Sequence, residues 1–154
     1  MFQKKIIFLL LLLLSSCGYE AIHSKKNLIK YDFSIGDLEF IGDRNINLKI
    51  REKLNNYTQN EKSKNFMLKI SSTTEKSITA KNKIGEITNF QSTIILSVEV
   101  SMNNNFKSSF IITENFTYNN IADKFNLKRY EREIKNNLAT TATDRLIFKL
   151  SNIQ

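Results

Sequence analysis

Between residues 31 and 118 the chain mostly alternates apolar and polar positions, and beyond residue 124 apolar residues recur every three or four positions. Period-two alternation marks strands with one buried face, and the longer period marks an amphipathic helix. In YDFSIGDLEFI, residues 31–41, Phe33 and Ile35 share one phase and Leu38 and Phe40 the other. The phase changes near Gly36, which predicts a strand carrying a bulge. Asp43 then stands where a helix N-cap is needed, ahead of Ile46, Ile50, Leu54 and Tyr57, a spacing that places all four on one helical face.

Three further strands are expected. Phe66, Leu68 and Ile70 share a phase in the first; Phe90, Ile94, Leu96, Val98 and Val100 share one in the second, with Gln91, Thr93, Ser97 and Glu99 opposite. Asn103, Asn104 and Asn105 predict a turn, because asparagine tolerates left-handed backbone angles. Phe106, Phe110, Ile112, Phe116 and Tyr118 continue on one phase after it. The closing stretch FNLKRYEREIKNNLATTATDRLIFKL reads as a long helix with Leu127, Tyr130, Ile134, Leu138, Ala142 and Phe148 on its inner side. Arg132, Glu133, Lys135 and Asn136 fall on the outer side. Thr140, Thr141 and Thr143 lower its intrinsic propensity, so packing must hold it.

The predicted order is β-α-β-β-β-α: an α+β two-layer sandwich, with a four-stranded, mainly antiparallel sheet and two helices on one face. Residues 31–154 have the length of one such domain.

The first thirty residues follow another pattern. Lys4 and Lys5 precede an uninterrupted apolar run from Ile6 to Leu14. That run is too short for a permanent bilayer helix, which needs about 20 residues, and has the outline of a secretory leader. Leu14-Ser15-Ser16-Cys17 closes it in the form of a bacterial lipobox, and Cys17 is the chain's only cysteine. Two readings fit: a lipidated cysteine that becomes the new N-terminus, or an ordinary cleavage site leaving a free thiol. Under the first, residues 1–16 are a lipoprotein signal peptide and residues 17–30 a lipidated tether. Several acyl chains then anchor the protein without spanning the membrane. Gly18, in place of an aspartate, follows the cysteine; in lipoproteins of this kind that implies forwarding to the outer membrane.

The formal charge is +8, of which Lys4 and Lys5 would leave with the leader. A basic surface favours anionic partners, although a composition rich in Lys, Asn and Ile and lacking Pro and Trp accounts for the excess equally well. Nucleic acid is not an expected partner for an exported chain. With four glycines, one histidine (His23, in the tether) and one cysteine, the chain has no phosphate-binding glycine loop, metal-ligand cluster or Ser-His pair. Neither a cofactor nor a metal is expected. A Ser-Lys arrangement stays open, and Glu131 and Glu133 read as solvated charge on an exposed helical face. Binding or scaffolding is expected in place of catalysis.

Cys17-Gly18-Tyr19, the order of elements, and the stretch FTYNNIADKFNLKRYEREIKNNLATTATDRL with its Leu138-Ala139 pair resemble the lipopolysaccharide-assembly lipoprotein (LptE) family of the outer membrane. The likeness runs over residues 17–150; a proline that often follows the cysteine in that family has no counterpart here. The resemblance implies an outer-membrane lipoprotein facing the periplasm. Its partner would be an LptD-like β-barrel, which it plugs and helps to assemble, and it would contact lipopolysaccharide in transit. Barrel lumens are polar, which suits the hydroxyl- and amide-rich outer phases of these strands. KSITAKNKIGEIT, joining the second and third strands, places Lys76, Lys81 and Lys83 near a turn, where point charges can meet lipopolysaccharide phosphates. The alternative is a periplasm-facing lipoprotein that binds another envelope component, or a small envelope enzyme.

Overall fold

A computed structural model describes residues 31–59 and 62–153. The leader, Cys17 and the tether assigned to residues 1–30 lie outside the described residues.

The elements are β1 (Ser34–Gly42), α1 (Arg44–Leu54) with a 3₁₀ turn (Asn55–Tyr57), β2 (Asn65–Lys81), β3 (Ile87–Met102), β4 (Asn105–Asn119) and α2 (Lys124–Ser151). This is the expected β-α-β-β-β-α order. The sheet order is β1-β2-β3-β4, with β1 parallel to β2 and the other two pairs antiparallel. Parallel neighbours require a crossover, and α1 supplies it.

Local chemistry explains the joints. The β1–β2 register shifts between Ile35 and Asp37, so Ile35 lies opposite Phe66 and Leu38 opposite Leu68. Both apolar phases of β1 therefore turn to the helix layer, which is why the phase changes at Gly36. At the end of β1, Gly42 has φ +96°, and a Cβ there would lie 2.0 Å from the Ser72 carbonyl oxygen. Only glycine fits that close approach. Asp43 follows as the N-cap of α1: its Oδ1 accepts from the amides of Asn45 (2.9 Å) and Ile46 (3.3 Å), and its Oδ2 from the Thr74 hydroxyl (3.1 Å). Asn103 and Asn104 take positive φ (54° and 61°) in the β3–β4 hairpin, while Asn105 already belongs to β4.

The core lies between the sheet and the two helices. Ile46, Ile50 and Leu54 of α1, Ile70 of β2, Leu96 and Val98 of β3, and Leu146 and Leu150 of α2 are all fully buried. The other sheet face is mixed: Thr73, Ser77, Ser97, Thr113 and Thr117 are exposed on it, and so are Ile41 and Ile111.

Two expectations are corrected. Phe148 is 62 % exposed, and Tyr130, at 37 %, lies at the margin of the core. Six residues beyond Ala142, Phe148 is turned about 240° around the helix, away from the sheet. Ala139, Thr143, Leu146, Ile147 and Leu150 fill the inner face in its place. The threonines are accommodated because Thr140, Thr141 and the buried Thr143 each donate to the carbonyl four residues back, at 2.9, 3.1 and 2.6 Å. Second, the segment joining β2 and β3 is mostly strand. Backbone pairing continues through Ser77 opposite Gln91 and Ile78 opposite Phe90, leaving a short tip between Lys81 and Ile87.

Candidate functional site

The β2–β3 hairpin outruns the helix layer. Burial alternates along β2 as far as Thr74 and then gives way to exposure on both faces. At the tip, Asn82 organises the turn from within. Its amide donates to the Glu86 carbonyl (2.9 Å), and its Oδ1 accepts from the amides of Ile84 (3.1 Å) and Glu86 (2.9 Å). Its Nδ2 donates to the Glu86 carboxylate at 2.9 Å, and Gly85 adopts φ +85°. Ile84 is 79 % exposed at the apex of this braced turn, between the exposed Lys83 and the turn glycine. Among the described residues neither Lys81 nor Lys83 forms an ion pair.

Lys76 sits elsewhere. It lies opposite Ser92, five residues from Lys81 on the same strand, a separation of roughly 17 Å. It faces the helix layer, with Nζ 2.6 Å from Glu131 Oε1 and 3.8 Å from the centroid of the Phe90 ring. The same Glu131 oxygen accepts from the Tyr118 hydroxyl at 2.9 Å. Tyr118 packs against Phe90 (5.9 Å between centroids) and meets Tyr130 edge-on (6.0 Å). The Asp123 N-cap starts α2, its Oδ1 accepting from the amides of Phe125 and Asn126, and Glu131 stands two turns further on. The three lysines are thus divided: Lys81 and Lys83 belong to the tip, whereas Lys76 pins the base of the hairpin to α2.

Glu131 is correspondingly no solvated charge. Its side chain is only 20 % exposed, unlike that of its exposed neighbour Glu133. Burial pushes its carboxyl up, but hydrogen bonds from Lys76 and Tyr118 together with the nearby Lys76 and Lys135 charges outweigh this and hold it below the usual carboxylate value. Burial, and then the Glu131 carboxylate, push the Tyr118 phenol above its usual range. Glu131 and Tyr118 do not stand out in the sequence as the group that holds Lys76. The available signal was the phase of Lys76, which continues the inward series of Phe66, Leu68 and Ile70 and therefore needed a buried acceptor.

The arrangement suits binding: a finger whose turn is braced by Asn82 and which carries two lysines outside any ion pair among the described residues, with an apolar apex. Among the described residues no group of three or more His, Cys, Asp or Glu could hold a metal ion, and no helix is long and apolar enough to cross a membrane.

No protein-family model matches the chain, and no curated protein matches it in sequence. Solved structures do. Rare lipoprotein B from Shewanella oneidensis is similar at 13 % identity and TM-score 0.60, over 75 % of this chain and 93 % of that one. A minor lipoprotein from Acinetobacter baumannii is similar at 11 % identity and TM-score 0.60, over 79 % and 91 %. Lipoprotein B from Nitrosomonas europaea is similar at 10 % identity and TM-score 0.57, over 79 % and 86 %. At these identities the likeness is one of fold: the chain shares its two-layer α+β sandwich with solved bacterial lipoproteins.

Proposed function

We propose that this chain is a lipid-anchored outer-membrane lipoprotein of the LptE type, acting in lipopolysaccharide assembly beside an LptD-like β-barrel. Its Lys81/Lys83 tip contacts lipopolysaccharide. The observation that carries the reading is the tip itself. A turn braced by Asn82 holds two ammonium groups, outside any ion pair among the described residues, beside an exposed isoleucine, a combination that matches a ligand with phosphates next to acyl chains. The lipobox at Cys17 and the fold likeness to bacterial lipoproteins support the envelope setting. The hydroxyl and amide groups that make up most of the outer face of the sheet suit a barrel lumen, although Ile41 and Ile111 are exposed among them. Lys76 serves this function indirectly, by fixing the hairpin base.

Binding of labelled lipopolysaccharide by the purified chain tests the proposal. Lys81→Ala with Lys83→Ala should weaken binding roughly tenfold, as expected for two phosphate contacts, with a shallower salt dependence. Lys76→Met should leave the affinity close to that of the parent once the fold is intact. Unchanged binding by the double variant would remove the tip from consideration.

A further inference from the structure

The two edges of the sheet are not equally protected. An edge strand leaves half of its backbone N–H and C=O groups without a partner, and folds blunt such edges by shortness, bulges and charge. β1 has all three: nine residues, a bulge between Ile35 and Asp37, and the exposed Asp37 and Glu39 along it. β4 has fifteen residues and, among the described residues, pairs only with β3. Its two charges do not guard it. Lys107 lies at its start, beside the register shift, and Glu114 turns in towards α2, where it meets Arg145 at 2.7 Å with 10 % of its side chain exposed. From Ser108 to Asn119, β4 therefore offers a continuous backbone edge with no outward charge and no proline.

A hollow lies beneath the same edge. About 250 Å³ in volume, it sits between β4 and α2, walled by Phe116, Tyr130, Ile134 and Leu138 and rimmed by Asn137 and Thr141. Phe116, opposite the buried Ser92, points to the helix layer yet stays 46 % exposed, because no strand beyond β4 covers that side. Exposed apolar side chains occur on other faces too; what sets this place apart is an apolar hollow directly below an open ladder. A backbone edge is satisfied by another extended backbone, and alternate side chains of an added strand point into the layer below. Edge and hollow together specify an extended polypeptide with a large apolar residue on its inward side. A second copy of this chain fits poorly. Of the inward residues on its own β4, Ile112 and Tyr118 are buried in its core and Glu114 is held by Arg145.

We infer that β4 is a docking edge that takes up an extended segment of the β-barrel partner as an added strand, with one apolar side chain of that segment seated against Phe116, Ile134 and Leu138. The exposed Thr113, Asn115 and Thr117 of β4 belong to the sheet face proposed to meet the lumen. A segment on this edge therefore continues that contact round to the groove. It also covers part of Ile111, 67 % exposed on the same strand. The inference rests on the barrel partnership in the proposed function, names the backbone that joins the two proteins, and leaves the hairpin tip free.

Hydrogen exchange read by mass spectrometry tests this on the full chain extracted from membranes, alone and in the complex recovered with the barrel. Pairing predicts that the outward-facing amides of β4, over residues 108–119, slow at least about a hundredfold in the complex, while the amides of β1, residues 34–42, keep their rates. Benzoylphenylalanine in place of Phe116 should attach, on irradiation, to one short segment of the barrel. Thr141→Phe fills the hollow from the exposed side of α2, leaves the edge intact, and should weaken the complex about tenfold in a detergent titration. Asn137→Phe serves as a second filling variant should the first disturb folding. Four results would each overturn the inference while recovery of the barrel leaves the partnership standing: β4 amides that exchange alike in both states, equal slowing at both edges, attachment scattered over the barrel or directed to a second copy of this chain, or an affinity untouched by both filling variants. Absence of the barrel from the preparation would instead overturn the partnership itself, and the docking edge with it.

Discussion

Replacing Lys76 by Met keeps most of the aliphatic stem over Phe90 while removing the charge. Three consequences follow from the geometry. The ion pair with Glu131, half-exposed on the lysine side, is worth up to about 1 kcal/mol. The ammonium over the Phe90 ring adds about 0.5–1 kcal/mol. Glu131, largely buried, retains only the Tyr118 hydroxyl among these two hydrogen-bond partners, so burial then dominates and its carboxyl shifts upward. The expected loss at neutral pH is about 1–2 kcal/mol, read from urea unfolding followed by circular dichroism. The sign of the pH dependence is set by Glu131. Its folded-state value is depressed, so its contribution is present above the ordinary value of 4.5 and fades as pH falls through the lower folded value. The gap between parent and Lys76→Met should therefore narrow under acid. In a Glu131→Gln background Lys76→Met should cost only the cation–ring part, since the two residues form one coupled pair. A cost below about 0.3 kcal/mol at neutral pH, or a gap that does not change with acid, would refute the assignment of Lys76 to the hairpin base.

Other substitutions test the joints and the core. Asp43→Ala removes the acceptor of two α1 amides and of the Thr74 hydroxyl, and should cost about 1–2 kcal/mol in the same unfolding assay. Gly42→Ala drives a methyl into the Ser72 carbonyl at positive φ; a loss of roughly 2–4 kcal/mol is expected, visible as a lowered melting temperature or reduced soluble yield. Thr143→Val should change stability by less than about 1 kcal/mol despite full burial, because the hydroxyl bonds only a helix carbonyl that the valine leaves in the ladder.

What could be read from the residues was what depends on near neighbours. The Asp43 cap, the bulge beside Gly36 and the asparagine turn are set within a few residues, and each lies where the pattern placed it, except that the turn expected over 103–105 is made by Asn103 and Asn104 while Asn105 opens β4. The strand phases were legible wherever one face is buried, which is why β2 was followed only to its buried half. Beyond Thr74 both faces are exposed, and the backbone ladder to β3 alone carries the strand on to Lys81. Phe148 was misplaced because hydrophobicity was counted ahead of angle, and the inner face is completed by Ala139 and Thr143, residues too small or too polar to announce themselves. The division of the three lysines was hidden for another reason. Lys76 is held by a residue fifty-five positions away in sequence, and only the packing of α2 on the sheet brings them together.

Affinity purification of the native chain from membranes in mild detergent tests the central claim most directly. A lipoprotein acting in lipopolysaccharide assembly should bring down a large outer-membrane β-barrel protein in a fixed ratio, and the recovered chain should begin at an acylated Cys17. Recovery of the chain alone, or of a barrel only in trace amounts that vary between preparations, would contradict it.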